Sequence, residues 1–502
     1  MNSNLYALFE SRFPQDRSAC AIETHDGLFH TWLDLERASA RIANLLSSLG
    51  LPRGARVAVQ VEKSAEAVML YLATIRAGYV YLPLNTAYRA SEIDYFLDNA
   101  RPAVVVCAPL NFGWVAKIAF RAGARHVFTL GEQRNGSLLE RATHHADSFE
   151  TAHAEPSDLA AILYTSGTTG RSKGAMLTHD NLASNIKVLQ QVWQWQPGDV
   201  LLHTLPLFHV HGLFVALHGA LLNGSKMILL PKFDSDDVSR RLPQATVFMG
   251  VPTYYVRLLA DGAFNLAAWR NMRLFISGSA PLLTDTFEQF KSRTGHTILE
   301  RYGMSETTML TSNPVDGARI GGTVGLPLPG VSVRVVDADG QPCLAGQIGA
   351  IQVKGPNVFA GYWEMPEKTA EEFTAEGYFN TGDVGRFDHA GYLSIVGRSK
   401  DLIISGGYNV YPKEIEAAID ALDGVAESAV IGVPHPEFGE AVTAVVVIRP
   451  GSSISEAGII GALKNGIANF KVPKRVYFLE ELPRNAMGKV QKNLLRERFG
   501  KE

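Results

Sequence analysis

The sequence has few cysteines and no long apolar run, and these two absences exclude several classes of protein. Three of its 502 residues are cysteines, Cys20, Cys107 and Cys343, and none of them forms a CxxC pair. This spacing argues against a disulfide framework and a cysteine-based zinc site, and it fits a reducing compartment. The most apolar stretch, LFVALHGALL at 213–222, is far shorter than the roughly 20 residues that a transmembrane helix needs.

A strong net charge of either sign is also lacking. The chain has 47 lysines and arginines against 50 aspartates and glutamates, a formal net charge of −3. This balance gives no sequence-wide electrostatic reason to bind nucleic acid. The first residues include Glu10 and no long apolar core, and the last three, GKE, match no common address tag. We therefore expect no secretory signal, no membrane insertion, and a cytoplasmic protein whose partners are small molecules.

The first half of the chain alternates between helical and strand-like segments. Residues 65–77 have a helical pattern, and residues 103–107 form a short apolar run typical of a buried strand. The same alternation returns at 159–165, 180–193 and 226–230. Alternating β and α segments predict parallel sheets with helices on their faces. At ~150 residues per unit, the length allows about three structural units.

The last third of the chain has a different pattern, which predicts smaller units. Strand-like residues at 331–336 and 348–355 flank a DADG turn at 337–340, so residues 331–397 are predicted to be β-rich. Short strands and one helix follow, at 401–404, 427–433, 441–449 and 413–422. The predicted fold class is therefore α/β. A large N-terminal domain covers 1–397, a polar hinge 398–400, and a small mobile α+β C-terminal domain 401–502.

The segment YTSGTTGRSKG, at 164–174, is the strongest local signal of function. It follows an apolar strand and combines three glycines, several hydroxyl residues and Lys173. Glycines let backbone N–H groups approach an anion, and the hydroxyls and the lysine add donors and positive charge. The segment is not the usual P-loop, because the next helix is predicted to begin only near Asp180. It predicts a loop that binds a triphosphate.

This loop resembles the signature loop of the adenylate-forming superfamily, which includes acyl-CoA synthetases, nonribosomal-peptide adenylation domains and firefly luciferase. Further segments resemble the other motifs of that family and occur in its order: SGSAPL at 277–282, RYGMSET at 301–307, TGD at 381–383, GRSKDLIISGGYNVYPKEIE at 397–416 and PRNAMGKVQK at 483–492. Ser305 stands where the family more often has threonine. The resemblance covers nearly the whole chain and implies a small domain that rotates between two half-reactions.

The resemblance implies an AMP-forming ligase that uses ATP, coenzyme A and Mg²⁺. In the first step a carboxylate attacks the α-phosphate of ATP, which gives an acyl-adenylate and pyrophosphate. In the second step a thiol displaces AMP. Because the first step brings two anions together, positioning and charge neutralisation must dominate its catalysis.

The matched motifs also imply roles for individual residues. Glu306 is expected to hold Mg²⁺ with help from Thr165, since this ion prefers oxygen ligands and few carboxylates. Lys489 is the expected cation at the α-phosphate, and Asp383 and Arg398 are expected to hold the ribose. The catalytic set is Lys489, Glu306, Thr165 and His209. The ATP-binding set is Thr165, Ser166, Gly167, Thr168, Thr169, Gly170, Lys173, Ser277, Gly278, Ser279, Ala280, Pro281, Glu300, Arg301, Tyr302, Gly303, Met304, Ser305, Asp383, Arg398 and Lys489.

The hinge motif implies a site for coenzyme A. Its expected residues are Lys400, Ser405, Gly406 and Gly407, with the two glycines beside a narrow pantetheine tunnel; a tight turn between strands is the alternative role for these glycines. In the family the lysine that corresponds to Lys489 is also acetylated, which removes the charge that adenylation needs. A lysine acetyltransferase and a deacetylase are therefore expected partners.

Two arginines near the predicted acyl site predict a substrate with a second carboxylate. Buried charge in an apolar pocket is costly unless it is paired, and arginine binds carboxylates in bidentate fashion. The alternatives are that Arg257 reaches solvent and that Arg301 pairs with Glu300. Strings such as ERYGMSETTMLTSNP resemble malonyl-CoA synthetases, which implies malonate, with methylmalonate as a further substrate. The predicted acid-binding set is His209, Arg257, Ser279, Arg301 and Met304.

Other functions remain open at this point. The chain could activate a monoacid, with structural arginines, or it could be an adenylation domain that charges a carrier protein. The segment FHVHG lacks the aspartate that an amino-acid version normally has, and the paired glycines favour coenzyme A. A regulator on a retired enzyme scaffold would be expected to lose Lys489, Glu306 or Asp383, and all three are present.

Overall fold

The computed structural model describes residues 2–165, 172–405, 408–436, 438–464 and 466–500. The helices are α1 Leu5–Glu10, α2 Trp32–Ser48, α3 Ala65–Arg76, α4 Ala90–Ala100, α5 Phe112–Arg121, α6 Ser137–Ala142, α7 His179–Val192, α8 His218–Asn223, α9 Ser235–Arg241, α10 Pro252–Ala260, α11 Leu266–Trp269, α12 Thr284–Thr294, α13 Pro366–Glu372, α14 Pro412–Asp420, α15 Glu456–Lys464 and α16 Lys492–Phe499. A π-helix, His211–Leu217, runs directly into α8.

The strands are β1 Cys20–Thr24, β2 Phe29–Thr31, β3 Arg56–Gln60, β4 Val80–Pro83, β5 Val104–Cys107, β6 His126–Thr129, β7 Leu159–Thr165, β8 Lys173–Thr178, β9 Val200–His203, β10 Lys226–Leu229, β11 Val247–Gly250, β12 Leu274–Ser277, β13 Leu299–Met304, β14 Thr308–Ser312, β15 Leu326–Pro327, β16 Ser332–Val336, β17 Gly349–Lys354, β18 Gly361–Tyr362, β19 Phe379–Phe387, β20 Leu393–Arg398, β21 Ile403–Ser405, β22 Tyr408–Val410, β23 Val425–His435, β24 Gly439–Ile448 and β25 Arg475–Phe478.

Two large, mainly parallel sheets form the first part of the molecule. One has nine strands in the order β15-β14-β13-β12-β11-β9-β10-β1-β2, and the other has seven in the order β18-β8-β7-β4-β3-β5-β6. The register of the first pairs Val247 with Leu274, and that of the second pairs Val57 with Val104. Because parallel strands end at the same edge of a sheet, the loops after β9, β11 and β12 of the nine-stranded sheet can meet.

Helix starts follow the capping rules that their sequences predict. The Thr178 hydroxyl accepts a hydrogen bond from the backbone N–H of Asn181, and the Asn181 Oδ1 atom accepts one from the backbone N–H of Thr178, so that α7 begins with a capping box. Ser64 caps α3 through the N–H of Ala67. These caps set the direction in which each chain segment leaves its sheet.

Two antiparallel sheets follow in the chain. A four-stranded sheet has the order β16-β17-β19-β20, and the last sheet has the order β22-β21-β24-β23 with β25 beside β24. In the four-stranded sheet, Asp383 of β19 faces Arg398 of β20 in the register. The last sheet has its own apolar clusters, one around Ile415 and Val442 and another around Leu482 and Leu495. Most of the apolar side chains at the end of the chain therefore pack among themselves.

The predicted fold class is confirmed. The helix expected at 65–77 and the strand expected at 103–107 are α3 and β5, and the segment 331–397, expected to be β-rich, contains β16, β17, β19 and β20. Two details differ from the prediction. The phosphate loop joins β7 to β8, an antiparallel partner that the sequence pattern did not indicate. The strand expected at 401–404 starts only at Ile403, because Ser399–Asp401 forms a 3₁₀ turn.

A helix that crosses a membrane must be long and almost continuously apolar. Within the described ranges, no helix is both long enough and apolar enough to cross a bilayer.

Candidate active site

A cavity of about 1240 Å³ lies where the sheets and the end of the chain meet. Its walls come from the ends of β7 and β12, from β13, from the loop after β9, from the four-stranded sheet and from the loop that precedes α16. The predicted site residues that line it are Thr165, Lys173, His209, Ser279, Arg301, Gly303, Met304, Ser305, Glu306, Arg398, Lys400 and Lys489. Segments far apart in the chain thus contribute to one cavity.

The end of the cavity that is predicted to bind phosphate, the phosphate end, is built around Glu306. Its Oε1 atom accepts a hydrogen bond from the Tyr362 hydroxyl at 3.1 Å and lies 3.4 Å from the Oγ1 atom of Thr165. Burial raises the pKa of the Glu306 carboxyl, although the hydrogen bond from Tyr362 and the charges of Arg398 and Lys173 lower it in part. Lys173 Nζ lies 3.4 Å from a carboxylate oxygen of Glu372.

This end of the cavity fits a magnesium ion. Glu306 is 5% exposed, and within the described residues no ion pair neutralises its carboxylate. The Thr165 hydroxyl adds a second oxygen beside it. A hard cation with few protein ligands matches this donor set, because Mg²⁺ is usually held by one or two carboxylates together with substrate phosphates and water.

The end that is predicted to bind ribose, the ribose end, is built from Asp383, Tyr302 and Arg398. The Tyr302 hydroxyl donates to Asp383 Oδ2 at 2.5 Å, and Arg398 Nε lies 2.9 Å from Asp383 Oδ1. The backbone N–H of Asp383 donates to Thr381 Oγ1 at 3.1 Å. Burial lowers the pKa of the Arg398 guanidinium, but the charges of Asp383, Tyr302, Glu306 and Asp401 together outweigh burial, so the pKa is raised. This network holds a carboxylate in place as an acceptor for hydroxyl groups.

Lys489 reaches the same cavity from the loop that precedes α16. The cavity walls surround its side chain although solvent still reaches it, and this burial together with the Arg398 charge lowers the pKa of the ammonium to about 8. Asn485 shapes the loop: its Oδ1 accepts from the backbone N–H groups of Met487 and Lys489, both at 3.0 Å. The loop thus delivers one cation between the phosphate and ribose ends.

The opposite wall carries a buried arginine that has no ion-pair partner in the part of the chain that the structure describes. Arg301 is 3% exposed, and its Nε and Nη2 atoms have no hydrogen-bond acceptor among the described residues. Burial lowers the pKa of this guanidinium to about 9. Among the described residues Glu300 forms no ion pair with it, and the Glu300 Oε1 atom accepts instead from the backbone N–H of Leu282 at 3.1 Å. An unpaired buried cation of this kind calls for an anionic ligand.

Uncharged histidines surround this arginine. Burial, and then the Arg301 charge, lowers the pKa of His209 to about 4 and lowers that of His211 as well. The backbone N–H of His211 donates to His209 Nδ1 at 3.2 Å, and the Ser279 hydroxyl lies 3.2 Å from His211 Nδ1. Ser279 has a positive φ of 72°, which is strained for a residue other than glycine. This end of the cavity, the predicted acid end, therefore has one charge, that of Arg301, and several neutral hydrogen-bond donors and acceptors.

Some predicted residues lie behind the cavity wall and hold the lining residues. Gly278 packs directly against the Arg301 guanidinium. Glu300 anchors the loop at Leu282, and burial raises the pKa of its carboxyl to about 7. Tyr302 and Asp383 form the ribose network. Ser277, Ala280 and Pro281 stand on the same turn as Gly278 and Ser279, at the end of β12.

Two predictions do not match the placement of the residues. Arg257 is exposed on α10 and does not line the cavity, so its prediction as a ligand of the acid is wrong. The reason is the helical geometry: Tyr255 of α10 is fully buried, and residues two apart point to nearly opposite sides of a helix. Ser405 is buried within β21 and also lies away from the cavity lining. Ser166, Gly167, Thr168, Thr169, Gly170, Gly406 and Gly407 lie outside the described residues.

Sequence reasoning missed several contributors to the site. Tyr362 binds Glu306 from the short strand β18, and Thr381 holds the backbone of Asp383. His211 forms part of the acid end although only His209 was assigned to it. The string TGD contains Thr381, and PLFHVHG contains His211, so both stood inside recognised segments. Tyr362 had no local signal, because its contact with Glu306 spans 56 residues of chain.

Two protein-family models match the chain. Residues 9–363 match the model described as AMP-binding enzyme, and residues 414–489 match the AMP-binding enzyme C-terminal domain. The chain belongs to the AMP-binding enzyme family. The two matches cover most of the chain. TGD at 381–383, most of the segment 397–416 and the last three residues of PRNAMGKVQK lie outside them.

Several relatives within this family are similar over nearly their full length. The chain is 35% identical to a malonate–CoA ligase of Arabidopsis thaliana, over 99% of this chain and 89% of the relative. It is 36% identical to a feruloyl-CoA synthase of an Amycolatopsis species, over 95% of both. The crystal structure of ATP-bound MatB from Rhodopseudomonas palustris is 55% identical, with a TM-score of 0.97 over 100% of this chain and 99% of that one.

Proposed function

We propose that this AMP-forming ligase converts malonate, ATP and coenzyme A into malonyl-CoA, AMP and pyrophosphate, with methylmalonate as a second substrate. The observation that carries the choice of acid is Arg301. Its guanidinium lies in the wall of the cavity, and two of its nitrogens, Nε and Nη2, have no hydrogen-bond partner among the described residues. A dicarboxylate supplies the missing acceptor, because one carboxylate can pair with Arg301 while the other reacts. Malonate–CoA ligases among the relatives support the same substrate.

In the first half-reaction, a malonate oxygen attacks the α-phosphorus of ATP, and the bond from that phosphorus to the bridging oxygen breaks. Pyrophosphate leaves and malonyl-adenylate remains. Lys489 supplies positive charge where the carboxylate and the α-phosphate meet, and Asp383 holds the ribose hydroxyls. Glu306 and Thr165 would hold Mg²⁺, which neutralises phosphate charge when it is bound.

In the second half-reaction, the sulfur of coenzyme A attacks the acyl carbon and the bond from that carbon to the AMP oxygen breaks. The thiol proton passes to solvent, and AMP leaves. Lys400, which lines the cavity, belongs to the proposed path of the thiol. Residues 398–400 serve as the hinge between a domain over 1–397 and a domain over 401–502, and this division is supported by the separate apolar clusters of the last sheet.

His209 closes the acid end in this proposal, and Met304 and Ser279 shape it. All three line the cavity beside Arg301. A neutral His209 avoids a second positive charge next to that arginine, in keeping with its lowered pKa. We place the enzyme in the cytoplasm, and we propose that acetylation of Lys489 by a lysine acetyltransferase, reversed by a deacetylase, switches the first half-reaction off.

The experiment is a comparison of acids, measured as AMP formed with ATP and coenzyme A. Malonate, methylmalonate, succinate, acetate, butyrate, octanoate and ferulate are offered to the parent, to R301A and to R257A. Malonate should be used best, and R301A should lower kcat/KM for malonate by about 10²-fold, the order expected when a buried charge pair is broken. R257A is the matched control and should leave kcat/KM unchanged, because Arg257 is exposed and outside the cavity lining.

The same measurement distinguishes the alternative substrates. If octanoate or ferulate leads and R301A has no effect on it, the enzyme is a monoacid ligase, as the feruloyl-CoA synthase relative would suggest. If adenylate forms but coenzyme A releases no AMP, the acceptor is a carrier protein. Either outcome overturns malonyl-CoA synthesis and leaves the adenylation chemistry standing.

A further inference from the structure

Met487 lies two residues before Lys489 and is packed in an unexpected place. It is 6% exposed and belongs to the large apolar cluster whose other buried members, among the described residues, lie between Leu5 and Leu393. The loop that carries it is attached to α16, which packs instead through Leu495 and Phe499 in a cluster of its own sheet. Met487 is thus an apolar side chain from the end of the chain inserted into the core of the first part.

The neighbouring residue contacts the same surface. Gly488 has a positive φ of 72°, and a Cβ at this position would lie 3.1 Å from Thr253 Oγ1 and 3.7 Å from Val251 Cγ2. Val251 and Thr253 stand at the start of α10, and Val251 is a member of the cluster that contains Met487. The loop therefore lies directly against the loop between β11 and α10.

The segment between Met487 and Lys489 is a closed turn. Asn485 Oδ1 accepts from the N–H groups of Met487 and Lys489, and the Asn485 N–H donates to the Lys489 carbonyl at 2.9 Å. The N–H of Gly488 donates to the Asn485 carbonyl at 2.9 Å, and Arg484 donates to the Gly488 carbonyl. With its hydrogen bonds made internally, the turn moves as one piece. Fixing Met487 therefore fixes Lys489.

We propose that Met487 is a positioning residue for adenylation: its side chain anchors the 485–489 turn in the core of the first part and so holds Lys489 in the cavity. The inference rests on the proposed function for the role of Lys489. The groups that bind the substrates, Arg301 and Asp383, belong to other elements, so substrate binding does not depend on this anchor. The anchor acts on the rate of the first half-reaction and not on the affinity for its substrates.

The test separates the two half-reactions in the full-length enzyme. Adenylation is followed as exchange of labelled pyrophosphate into ATP, and thioester formation is followed from chemically prepared acyl-adenylate and coenzyme A. M487A should lower kcat of the exchange by 10- to 100-fold, with KM for ATP and for the acid within about three-fold of the parent. Thioester formation should stay within about three-fold. M487L, which keeps an apolar side chain of similar volume, should restore the exchange.

A second variant controls for loss of folding. L495A removes a buried apolar side chain from the same end of the chain, but from the cluster that does not reach the first part. It should affect both half-reactions alike through the amount of folded enzyme. The proposal is overturned if M487A loses both half-reactions equally, as L495A does, or if M487A exchanges pyrophosphate as fast as the parent. An acid other than malonate can be used throughout, so failure of the substrate assignment and failure of the anchor give different results.

Discussion

The position of the Arg301 guanidinium depends on the absence of a side chain at Gly278. The guanidinium of Arg301 occupies the space beside the Gly278 Cα atom, and a Cβ there would lie 2.4 Å from both its Cζ and its Nη1 atoms. Both residues belong to motifs described above, but the motifs do not predict that the two residues are in contact. The glycine is required here by close approach rather than by its backbone angles.

Replacing this glycine should move the arginine. In G278A the added methyl group displaces the guanidinium, and we expect kcat/KM for malonate to fall by about 10- to 100-fold, with a smaller change for butyrate. Steady-state AMP formation with the two acids measures the ratio. G262A serves as the control, because a Cβ at Gly262 meets nothing within 4 Å. An unchanged malonate-to-butyrate ratio in G278A would contradict the role of Arg301.

The charge of Lys489 should also be visible in the pH profile. Its pKa is lowered to about 8 by burial and by Arg398, so the ammonium loses its proton as the pH rises through about 8. The rate of adenylation, which needs this charge, should therefore fall on the alkaline side with a midpoint near 8. Pyrophosphate exchange between pH 6 and pH 9.5 measures it. The variant K489R keeps its charge over this range, so its lower rate should show no such decline; the same midpoint in K489R would assign the titration to another group.

At the scale of elements, a buried lysine connects the two large sheets. Lys63, in the loop after β3, places Nζ 2.8 Å from His203 Nδ1 and 2.9 Å from the His203 carbonyl at the end of β9. The Nε2 of His203 donates to the Gly212 carbonyl at 2.9 Å, so Nδ1 of the neutral ring is an acceptor for Lys63. The chain of bonds runs from the seven-stranded sheet into the segment that carries His209 and His211.

Breaking this connection should cost stability. K63M leaves a buried ring nitrogen and a carbonyl without a donor, at a cost of about 1–3 kcal/mol each. We expect a thermal midpoint several degrees below that of the parent, measured by differential scanning fluorimetry. The double variant K63M/H203L removes the stranded ring as well and should recover part of the loss. If K63M alone melts with the parent, the two sheets do not depend on this pair.

The same lysine predicts a direction for the pH dependence of stability. Burial lowers the pKa of Lys63 well below its usual range, so the unfolded chain binds this proton more tightly than the native protein. Its contribution is fully present above the unfolded pKa of about 10.4 and is lost as the pH falls toward the native value. K63M should therefore weaken the rise in stability between pH 8 and pH 10, measured as the denaturation midpoint. An identical rise in the parent and in K63M would show that a group other than Lys63 causes this pH dependence of stability.

The elements also show which features the sequence could predict. Helix α7 was expected from apolar residues spaced three and four apart, and its buried face of Leu182, Ile186 and Leu189 follows that spacing. Strand β8 was missed because its six residues have no alternating pattern of their own, and it is defined by pairing with β7 and β18. The same local rules would have placed Arg257 outward, since Tyr255 and Leu258 form the buried side of α10.

Across the whole molecule, the order of the motifs predicted the fold and the chemistry, but not the contacts between distant segments. Glu306, Asp383 and Lys489 were assigned from short strings, and the structure brings all three to one cavity wall or to the network behind it. The contact of Tyr362 with Glu306 and the burial of Met487 depend on tertiary packing, which no local string encodes. The motifs therefore predict the candidate site residues but not the residues that hold them in position.

The connection between the proposed domains should be accessible to protease. Lys400 is exposed, whereas Arg398 is held by Asp383, so limited trypsin digestion should first cut after Lys400. Intact-mass measurement should find fragments of residues 1–400 and 401–502, and K400Q should remove this cut. Because Ser399 and Lys400 line the cavity, ATP with malonate should slow the cleavage several-fold. A first cut within a helix or strand would contradict the division at 398–400.

Arg301 has a further consequence for the history of such a chain. A buried guanidinium without an ion-pair partner makes the empty protein less stable than a methionine of similar size would, so selection for stability and selection for substrate choice act on this position in opposite directions. Random variants screened only for thermal endurance will tend to lose the arginine and with it the preference for diacids. Retention of Arg301 in a lineage therefore indicates continued selection for the proposed dicarboxylate substrate.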